Sequence, residues 1–524
     1  MQQESLVEYG SRRAIVTITA ILCALLEIVD TTIVNVALND MKGNMGATLS
    51  EIGWVITAYA IGNVIVVPMT SWLSQQFGRR NYFAASIILF TICSFLCGNA
   101  TTMWELILFR FLQGVGGGAL LVTSQTIITE SWPVEKRGMS QAIYGLGVII
   151  GPTLGPPLGG YIVNNFSWPY IFYINIPIGI IAAMFTLRYV RSPKFAEKKS
   201  ASEIDWWGII FLAAAVGSLQ FVLERGQEED WFNNSHILLL SIVAVLGIYF
   251  FIWRELTYKN PIVDLRVLKN TNLAIGTVLS FIMGFGLYGS TFIVPMYLQT
   301  SLGWNAEQAG MIMIPAALMT AFMMPMVGQA LQKGVPAKYL AALGMFLFFV
   351  YSFWGYKIIS PQTGADNFFW MLMMRGLAMG MLFIPISMMS LSTLKGQQIG
   401  QGAAFTGMMR QLGGSFGIAL ITTFMSRQNA VHRNDLLVNY TADNGLFQQK
   451  YQGLVAKLMS SGMPANQASA AAYKMLDGAV TGQSAILSYM DVFLYIGFMF
   501  LVCVPFILMI KTGKAKVDMA EAMH

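Results

Sequence analysis

The chain has 524 residues, of which 55% are hydrophobic and only 11% are charged, and its mean hydropathy is +0.59. Soluble proteins carry roughly 25% charged residues, so this composition excludes an ordinary soluble protein. The net charge of +6 is informative mainly through the loops in which the basic residues lie.

Apolar runs recur along the chain at lengths that suit the ~30 Å hydrocarbon core of a bilayer. In chain order they predict fourteen membrane helices, at 14–38, 51–74, 81–99, 103–128, 138–163, 169–190, 205–223, 236–256, 270–298, 305–331, 337–357, 367–390, 400–424 and 484–510. Basic loops, such as those with Arg79 and Lys136, alternate with loops that are nearly free of basic residues. By the positive-inside rule, both termini are predicted to be cytoplasmic. We expect an all-α, multi-pass protein of the inner (cytoplasmic) membrane.

The two ends of the chain resemble each other at an offset of about 260 residues, which indicates an internal repeat. Pro68 matches Pro325, and Arg110 matches Arg375. Such a repeat is typical of transporters whose two halves rock about a central substrate site. The predicted organisation is a six-helix bundle at 1–190, a basic linker with two inserted helices at 191–265, five helices of a second bundle at 266–424, an extracytoplasmic loop at 425–483, and the last helix with a cytoplasmic tail at 484–524.

The predicted fifth helix contains the segment GVIIGPTLGPPLGG, at 147–160. Its residues Gly151, Gly155 and Gly159 recur every fourth position, so on a helix they form a stripe without side chains. Prolines in the same segment remove backbone donors and favour a bend. The pattern predicts an irregular helix that packs closely against a neighbour.

Several segments resemble motifs of the major facilitator superfamily, and in particular of its fourteen-helix drug:proton antiporters of the EmrB/QacA type. They are LEIVDTTIVNVAL (26–38), RFLQGVGGG (110–118), GPTLGPPLGG (151–160), WPYIFYINIPIG (168–179) and NPIVDLRVL (260–268). The resemblance implies the fold of that superfamily and the export of lipophilic, chemically varied drugs or toxic compounds in exchange for protons by alternating access, without a cofactor. It also implies an antiporter motif formed by Gly151, Pro152, Gly155, Pro156, Gly159 and Gly160.

One loop departs from the superfamily pattern. In SWLSQQFGRR the superfamily usually has Gly, Asp and Arg where this chain has Ser71, Gln75 and Gln76. The charge relay that the Asp would serve in gating is therefore not predicted for this chain.

Two carboxyl groups lie three residues apart in the otherwise apolar first helix, at Glu27 and Asp30. A carboxylate in hydrocarbon is costly, so it is expected to be protonated, paired or turned to a wet cavity. With a cytoplasmic N-terminus, Asp30 and Arg110 lie at matching depth. We expect Asp30 to take the proton, Arg110 to tune or restrain it, and Glu27 to share in proton coupling. The alternative is a static ion pair that joins the first and fourth helices.

Other polar side chains inside the predicted spans are candidates for a substrate cavity. Arg410 lies near the membrane midplane and is expected in a cavity or gating role, whereas Arg375 is expected to extend towards the membrane surface. Further candidates for polar groups of the cavity are Asn35, Gln113, Tyr59 and Tyr288. The 34 methionines and 13% aromatic residues favour an adaptable apolar site.

Other classes of function find little support in the sequence. A G-x-x-x-x-G-K-[ST] segment for ATP is absent, and no catalytic cluster or metal-binding spacing occurs at membrane depth. The four cysteines lie in apolar runs and are interpreted as packing residues. We expect neither an enzyme nor a metal protein. A proton-independent facilitator or importer of a small metabolite, with the same fold, stays open as an alternative.

The long segment 425–483 is expected to have a role of its own. Apolar residues in its second half have helical spacing. Resemblance to EmrB-type pumps implies that this segment contacts an EmrA-like periplasmic adaptor that works with an outer-membrane channel. The alternative is an amphipathic helix that lies on the membrane surface.

Overall fold

The computed structural model describes residues 6–133, 136–192, 204–394, 397–438, 440 and 444–509. Within these ranges the regular structure is helical. The helices are α1 (Gly10–Met45), α2 (Leu49–Phe77), α3 (Arg79–Gly98), α4 (Met103–Ser131), α5 (Arg137–Asn165), α6 (Tyr170–Tyr173), α7 (Asn175–Tyr189), α8 (Trp206–Arg225), α9 (Ser235–Thr257), α10 (Thr271–Thr300), α11 (Ala306–Met311), α12 (Ile314–Gln332), α13 (Ala337–Ile358), α14 (Ala365–Leu391), α15 (Gln397–Leu437), α16 (Gly445–Ser460) and α17 (Ala465–Met509).

Twelve of the described helical segments are long and apolar enough to cross a bilayer, and α5 adds a thirteenth if its two parts form one span. Two of the twelve consist of short consecutive helices, α6 with α7 and α11 with α12. These spans confirm an all-α membrane protein. The predicted helix 400–424 lies within α15, which is not among the twelve, so the count of fourteen stays a prediction.

Helix α5 has the close packing that its glycines predict. The helix is bent by 40° between Pro152 and Leu154, and its glycine stripe faces α1. A methyl group added at Gly155 would lie 2.8 Å from Cβ of Thr32, and one at Gly159 would lie 2.9 Å from Cγ1 of Ile33. Real side chains do not come this close, so only glycine permits the observed distance between the two helices.

The same helix also forms part of the contact between the N-terminal and C-terminal halves. It packs against α11, α12 and α14, while α2 and α4 pack against α15 on the other side. Near one end of this contact, a methyl group at Gly328 would lie 3.3 Å from the carbonyl oxygen of Gly138. The inserted helix α8 packs against α2, α9 and α15. The two halves and α8 thereby surround a central space.

Helices α15 and α17 continue well beyond the ends predicted from hydropathy, at 424 and 484. Most of the segment 425–483 is therefore helical, although helical spacing was evident only in its second half. Polar contacts join the extended helices, with 2.6 Å between Arg433 and Asp477 and 2.7 Å between His432 and Asp491. Hydropathy missed these extensions because they are polar and exposed, and side-chain pairing stabilises them instead.

Candidate functional site

A buried ion pair joins α1 and α4. The Nη1 atom of Arg110 donates to Oδ2 of Asp30 at 2.6 Å, and the side chains are 1% and 0% exposed. The other carboxylate oxygen of Asp30 accepts from Nε2 of Gln113 at 3.0 Å and from Nδ2 of Asn175 at 2.8 Å. Three donors therefore hold Asp30, as a buried carboxylate requires.

Arg110 is held as firmly as its partner. Its Nε atom donates to the carbonyl oxygen of Val55 at 3.1 Å, and Nη1 also donates to Oε1 of Gln113 at 2.7 Å. The guanidinium carbon lies 4.2 Å from the ring centroid of Tyr59 and 5.6 Å from that of Phe172. Aromatic faces stabilise a desolvated cation. Sequence reasoning paired Asp30 with Arg110 by depth, and the described contacts agree with that pairing.

Glu27 lies one turn before Asp30 on α1 and is only 5% exposed. Its Oε1 atom accepts from Nδ2 of Asn63 at 2.9 Å, whereas its buried Oε2 atom has no hydrogen-bond partner among the described residues. A carboxyl group with one donor is far less well compensated as an anion than Asp30, which has three.

A cavity of about 140 Å³ lies between the two halves. Helices α1, α2, α4, α8, α10 and α15 all contribute to its wall. The predicted site residues that line it are Glu27, Tyr59, Arg110, Tyr288 and Arg410. Most of the remaining wall is apolar, and its polar groups come from both halves and from α8.

Two predicted cavity residues lie elsewhere. Gln113 is fully buried in the ion-pair network, where it also donates to Oγ of Ser94 at 2.8 Å. Asn35 is exposed and does not line the cavity. Neither side chain lines this cavity in the structure, so a cavity role for either residue stays a prediction. Polarity within a span identifies a costly side chain but not the direction in which it points.

Arg410 is 4% exposed, and its guanidinium carbon lies 5.3 Å from the ring centroid of Phe383. Among the described residues, no carboxylate lies within ion-pair distance of Arg410. The cavity therefore contains a cation whose charge is not neutralised by direct contact. Such a group can attract an anion or respond to the ionisation of Glu27.

Arg375 does not extend to the membrane surface as expected, because it is buried and only 5% exposed. Its Nε atom donates to Oγ of Ser290 at 2.8 Å, and Nη2 donates to Thr291 and to the carbonyl oxygen of Leu287. These partners all lie on α10, so the arginine joins α14 to α10, and among the described residues it forms no ion pair with a carboxylate.

Several functional candidates were missed in the sequence. Asn63 and Asn175 complete the hydrogen bonds of the two acids of α1, and Gln220 and Glu224 of α8 line the cavity. Each is a polar side chain within a strongly apolar span, which was the available signal. Among the described residues, no group of three His, Cys, Asp or Glu side chains could hold a metal ion.

Comparison with known proteins places the chain in a family. Residues 20–418 match the model of the Major Facilitator Superfamily. The chain is 32% identical to the fatty acid resistance protein FarB of Neisseria gonorrhoeae, over 96% of this chain and 97% of FarB. It is also 32% identical to the multidrug export protein EmrB of Escherichia coli (strain K12), over 94% of each chain. A third relative is the colistin resistance protein EmrB of Acinetobacter baumannii, 30% identical over 84% of this chain and 85% of that protein.

Solved structures share the fold at low sequence identity. The proton:xylose symporter XylE aligns with a TM-score of 0.58 at 16% identity, over 94% of this chain and 96% of that chain. The human organic anion transporter MFSD10 aligns with a TM-score of 0.54 at 14% identity, over 93% of this chain and 99% of that chain. Family match, relatives and fold agree: the chain is a multi-pass membrane transporter, not an enzyme, and belongs to the Major Facilitator Superfamily.

Proposed function

We propose that the protein exports lipophilic drugs or toxic compounds in exchange for protons. The observation that carries this proposal is the buried pair of Asp30 and Arg110, whose arginine also lines the central cavity. Asp30 is separated from the cavity by the side chain of Arg110. A change in the protonation of Asp30 can therefore alter the position of a charge in the cavity wall. The relatives, a multidrug export protein and two resistance proteins, support export as the direction of transport.

The chemistry follows from the charges. While Asp30 is ionised, it holds Arg110 in the closed network between α1 and α4. A proton on Asp30 removes that attraction and leaves Arg110 as a buried cation without a counter-charge, which is costly in a low-dielectric site. Arg110 is then free to turn into the cavity, where its charge disfavours cationic cargo. Proton and cargo thereby compete, as exchange requires.

Glu27 has a second role in this scheme. It lines the cavity directly, and it lies about one helical turn from Asp30. Its Oε2 atom has no hydrogen-bond partner among the described residues, so little compensates a negative charge there. We propose that Glu27 transfers protons between the cavity and Asp30, and that Arg410 interacts electrostatically with ionised Glu27. The antiporter motif on α5 keeps α1 at a fixed distance while the two halves rock.

The energy available is sufficient. One proton that enters down a potential of about 150 mV releases roughly 3.5 kcal/mol, at about 2.3 kcal/mol per charge per 100 mV. At about 1.4 kcal/mol per factor of ten, this energy sustains a substrate gradient of a few hundred-fold. ATP is not required.

The test uses the full chain in proteoliposomes and a fluorescent cationic dye such as ethidium. An imposed pH gradient is expected to drive dye movement by the wild type and not by Asp30→Asn. The matched control is Asp40→Asn, since Asp40 lies on the same helix but is exposed. If dye movement does not depend on the pH gradient, and Asp30→Asn is as active as the wild type, the protein is a proton-independent facilitator instead.

A further proposal concerns partners and orientation. We propose an inner-membrane protein with cytoplasmic termini, whose extension formed by α16 and the facing ends of α15 and α17 binds a periplasmic adaptor connected to an outer-membrane channel. No residue of α16 is buried, and Leu446 and Met459 on it are 73% and 47% exposed. The alternative is that α16 lies on the lipid surface. Leu446→Asp should reduce co-purification with the adaptor, whereas loss of vesicle binding alone would favour the alternative.

A further inference from the structure

The inserted helix α8 carries a carboxylate into the central cavity, and this carboxylate has no part in the proton scheme above. Glu224 lies near the C-terminal end of α8 and lines the cavity together with Gln220 of the same helix and Ser415 of α15. Neither half of the internal repeat contains α8. The helix therefore adds a charged group that a two-half transporter would lack.

The hydrogen bonds at this corner of the cavity have a defined direction. The Nε2 atom of Gln220 donates to Oε1 of Glu224 at 2.9 Å and to Oγ of Ser415 at 2.9 Å. Because its amide nitrogen must face the carboxylate, the amide oxygen of Gln220 points away from it. That oxygen is buried and has no hydrogen-bond partner among the described residues, and Gln220 is 1% exposed.

Glu224 itself retains acceptor capacity. Among the described residues it has one hydrogen-bond donor, Gln220, and it forms no ion pair. Its neighbour Arg225 is engaged elsewhere, with Nη1 at 2.8 Å from Glu228 and Nη2 at 3.7 Å from Glu229. The corner therefore presents a carboxylate oxygen and an amide oxygen that both lack donors.

The cavity therefore contains an acidic side chain on α8 as well as the basic side chain of Arg410. Ser415 follows Arg410 by five residues on α15, so the acidic corner lies about 7.5 Å along the helix axis from the basic one, at about 1.5 Å per residue. The wall also contains Glu27, Arg110 and Gln411, together with apolar residues and the aromatic side chains of Tyr59 and Tyr288. Aromatic rings and a partly desolvated carboxylate together favour a lipophilic organic cation.

We propose that Glu224, positioned by Gln220 and Ser415, is the group that recognises the positive charge of lipophilic cationic cargo. This inference rests on the proposed export function, in which the cargo is the exported compound. In this proposal, α8 determines the selectivity for the charge of the cargo, whereas Asp30 and Glu27 exchange the proton. The cationic cargo and the proton then bind at separate carboxylates.

The test is equilibrium binding to the full chain in lipid nanodiscs, with empty nanodiscs subtracted. The probes are tetraphenylphosphonium and tetraphenylborate, which share one shape and differ in sign of charge. Wild type should bind the cation more tightly than the anion. Glu224→Gln should raise the Kd of the cation about tenfold and leave that of the anion unchanged or lowered. Glu224→Asp should retain most of the preference for the cation.

The matched control is Glu228→Gln, since Glu228 lies one turn further on, is exposed and pairs with Arg225. It should leave both Kd values unchanged. Equal Kd values for the cation in wild type and Glu224→Gln would overturn the proposal, and so would equal weakening of both probes. The assay needs no gradient, so failure of proton coupling in Asp30→Asn would leave this result interpretable by itself.

Discussion

The two halves of this transporter each bury an arginine at matching positions, and the arginines have different partners. Arg110 on α4 contacts Asp30 of α1, while Arg375 on α14 contacts Ser290 of α10. Ser290 follows Asp30 by 260 residues, which is close to the offset of the internal repeat. The same crossing of two helices is thus held by an ion pair in one half and by hydroxyl groups in the other.

The two halves therefore share the same contact between helices but differ in the chemical groups that form it. Both arginines join the fourth helix of a half to its first, so the repeat preserves the joint. Among the described residues, only the N-terminal joint contains a carboxylate, and a carboxyl group can gain or lose a proton, whereas the serine and threonine hydroxyls at the other joint stay neutral. We infer that the N-terminal half handles the proton, whereas the C-terminal half supplies a fixed counterpart against which it moves.

The largest expected effect comes from removal of the arginines one at a time. Arg110→Ala leaves Asp30 as an unpaired buried charge and should lower the free energy of unfolding by about 3–5 kcal/mol. Arg375→Ala removes only hydrogen bonds to neutral groups and should cost about 1–2 kcal/mol. Denaturant titration of both variants in one mixed-micelle system measures the difference. Equal losses would mean that the two joints are energetically alike.

The next effect concerns the packing that holds the helix of Asp30 in place. Gly155→Ala would force a methyl group against Thr32 of α1, and overpacking of this kind costs about 1–3 kcal/mol. Gly43→Ala is the control, because Gly43 lies on α1 with no atom near the position of an added methyl group. Thermal unfolding should show a loss for the first and none for the second. Similar midpoints would argue against the close approach of α1 and α5.

A smaller effect is expected at the second acid of α1. Glu27→Gln preserves the shape of the side chain but cannot exchange a proton, and it should slow gradient-driven export about tenfold, equivalent to about 1.4 kcal/mol. Substrate binding without a gradient should change much less. Asn63→Asp, which replaces the donor to Glu27 by a second acid, should impair export as well. Unchanged export by Glu27→Gln would remove Glu27 from the proton route.

The smallest effect is expected when the C-terminal half receives the missing acid. Ser290→Asp gives Arg375 a carboxylate, and the gain in attraction should roughly offset the cost of burial, to within about 1 kcal/mol of stability. In the Asp30→Asn background, Ser290→Asp should not restore export, because its partner Arg375, unlike Arg110, is not among the residues that line the central cavity. Restored export would show that either half can carry the proton.

Much of the fold could be predicted because the bilayer leaves few alternatives. Apolar runs of fixed length had to be helices, and Gly151, Gly155 and Gly159 had to face a close neighbour. Depth along the helices was sufficient to pair Asp30 with Arg110. These predictions depend on periodicity and rise per residue, which the sequence specifies directly.

The remainder depends on rotation and on contacts between distant segments. Asn35 and Gln113 were assigned to the cavity by polarity alone, yet one is exposed and the other is buried beside Asp30. Arg375 was placed at the membrane surface because its partner Ser290 carries no charge that would reveal the contact. Asn175 completes the network from 145 positions away in the chain. No local pattern specifies such a pairing.

The most direct test of the central claim measures how many protons the protein releases when a dye binds. Purified protein in a weakly buffered solution with a pH indicator is mixed with a dye that the wild type exports. If the proton is held at Asp30, the wild type should release protons as the dye binds, and Asp30→Asn should release markedly fewer at equal dye occupancy. Equal proton release by the two proteins would contradict the claim, since the exchanged proton would then lie elsewhere.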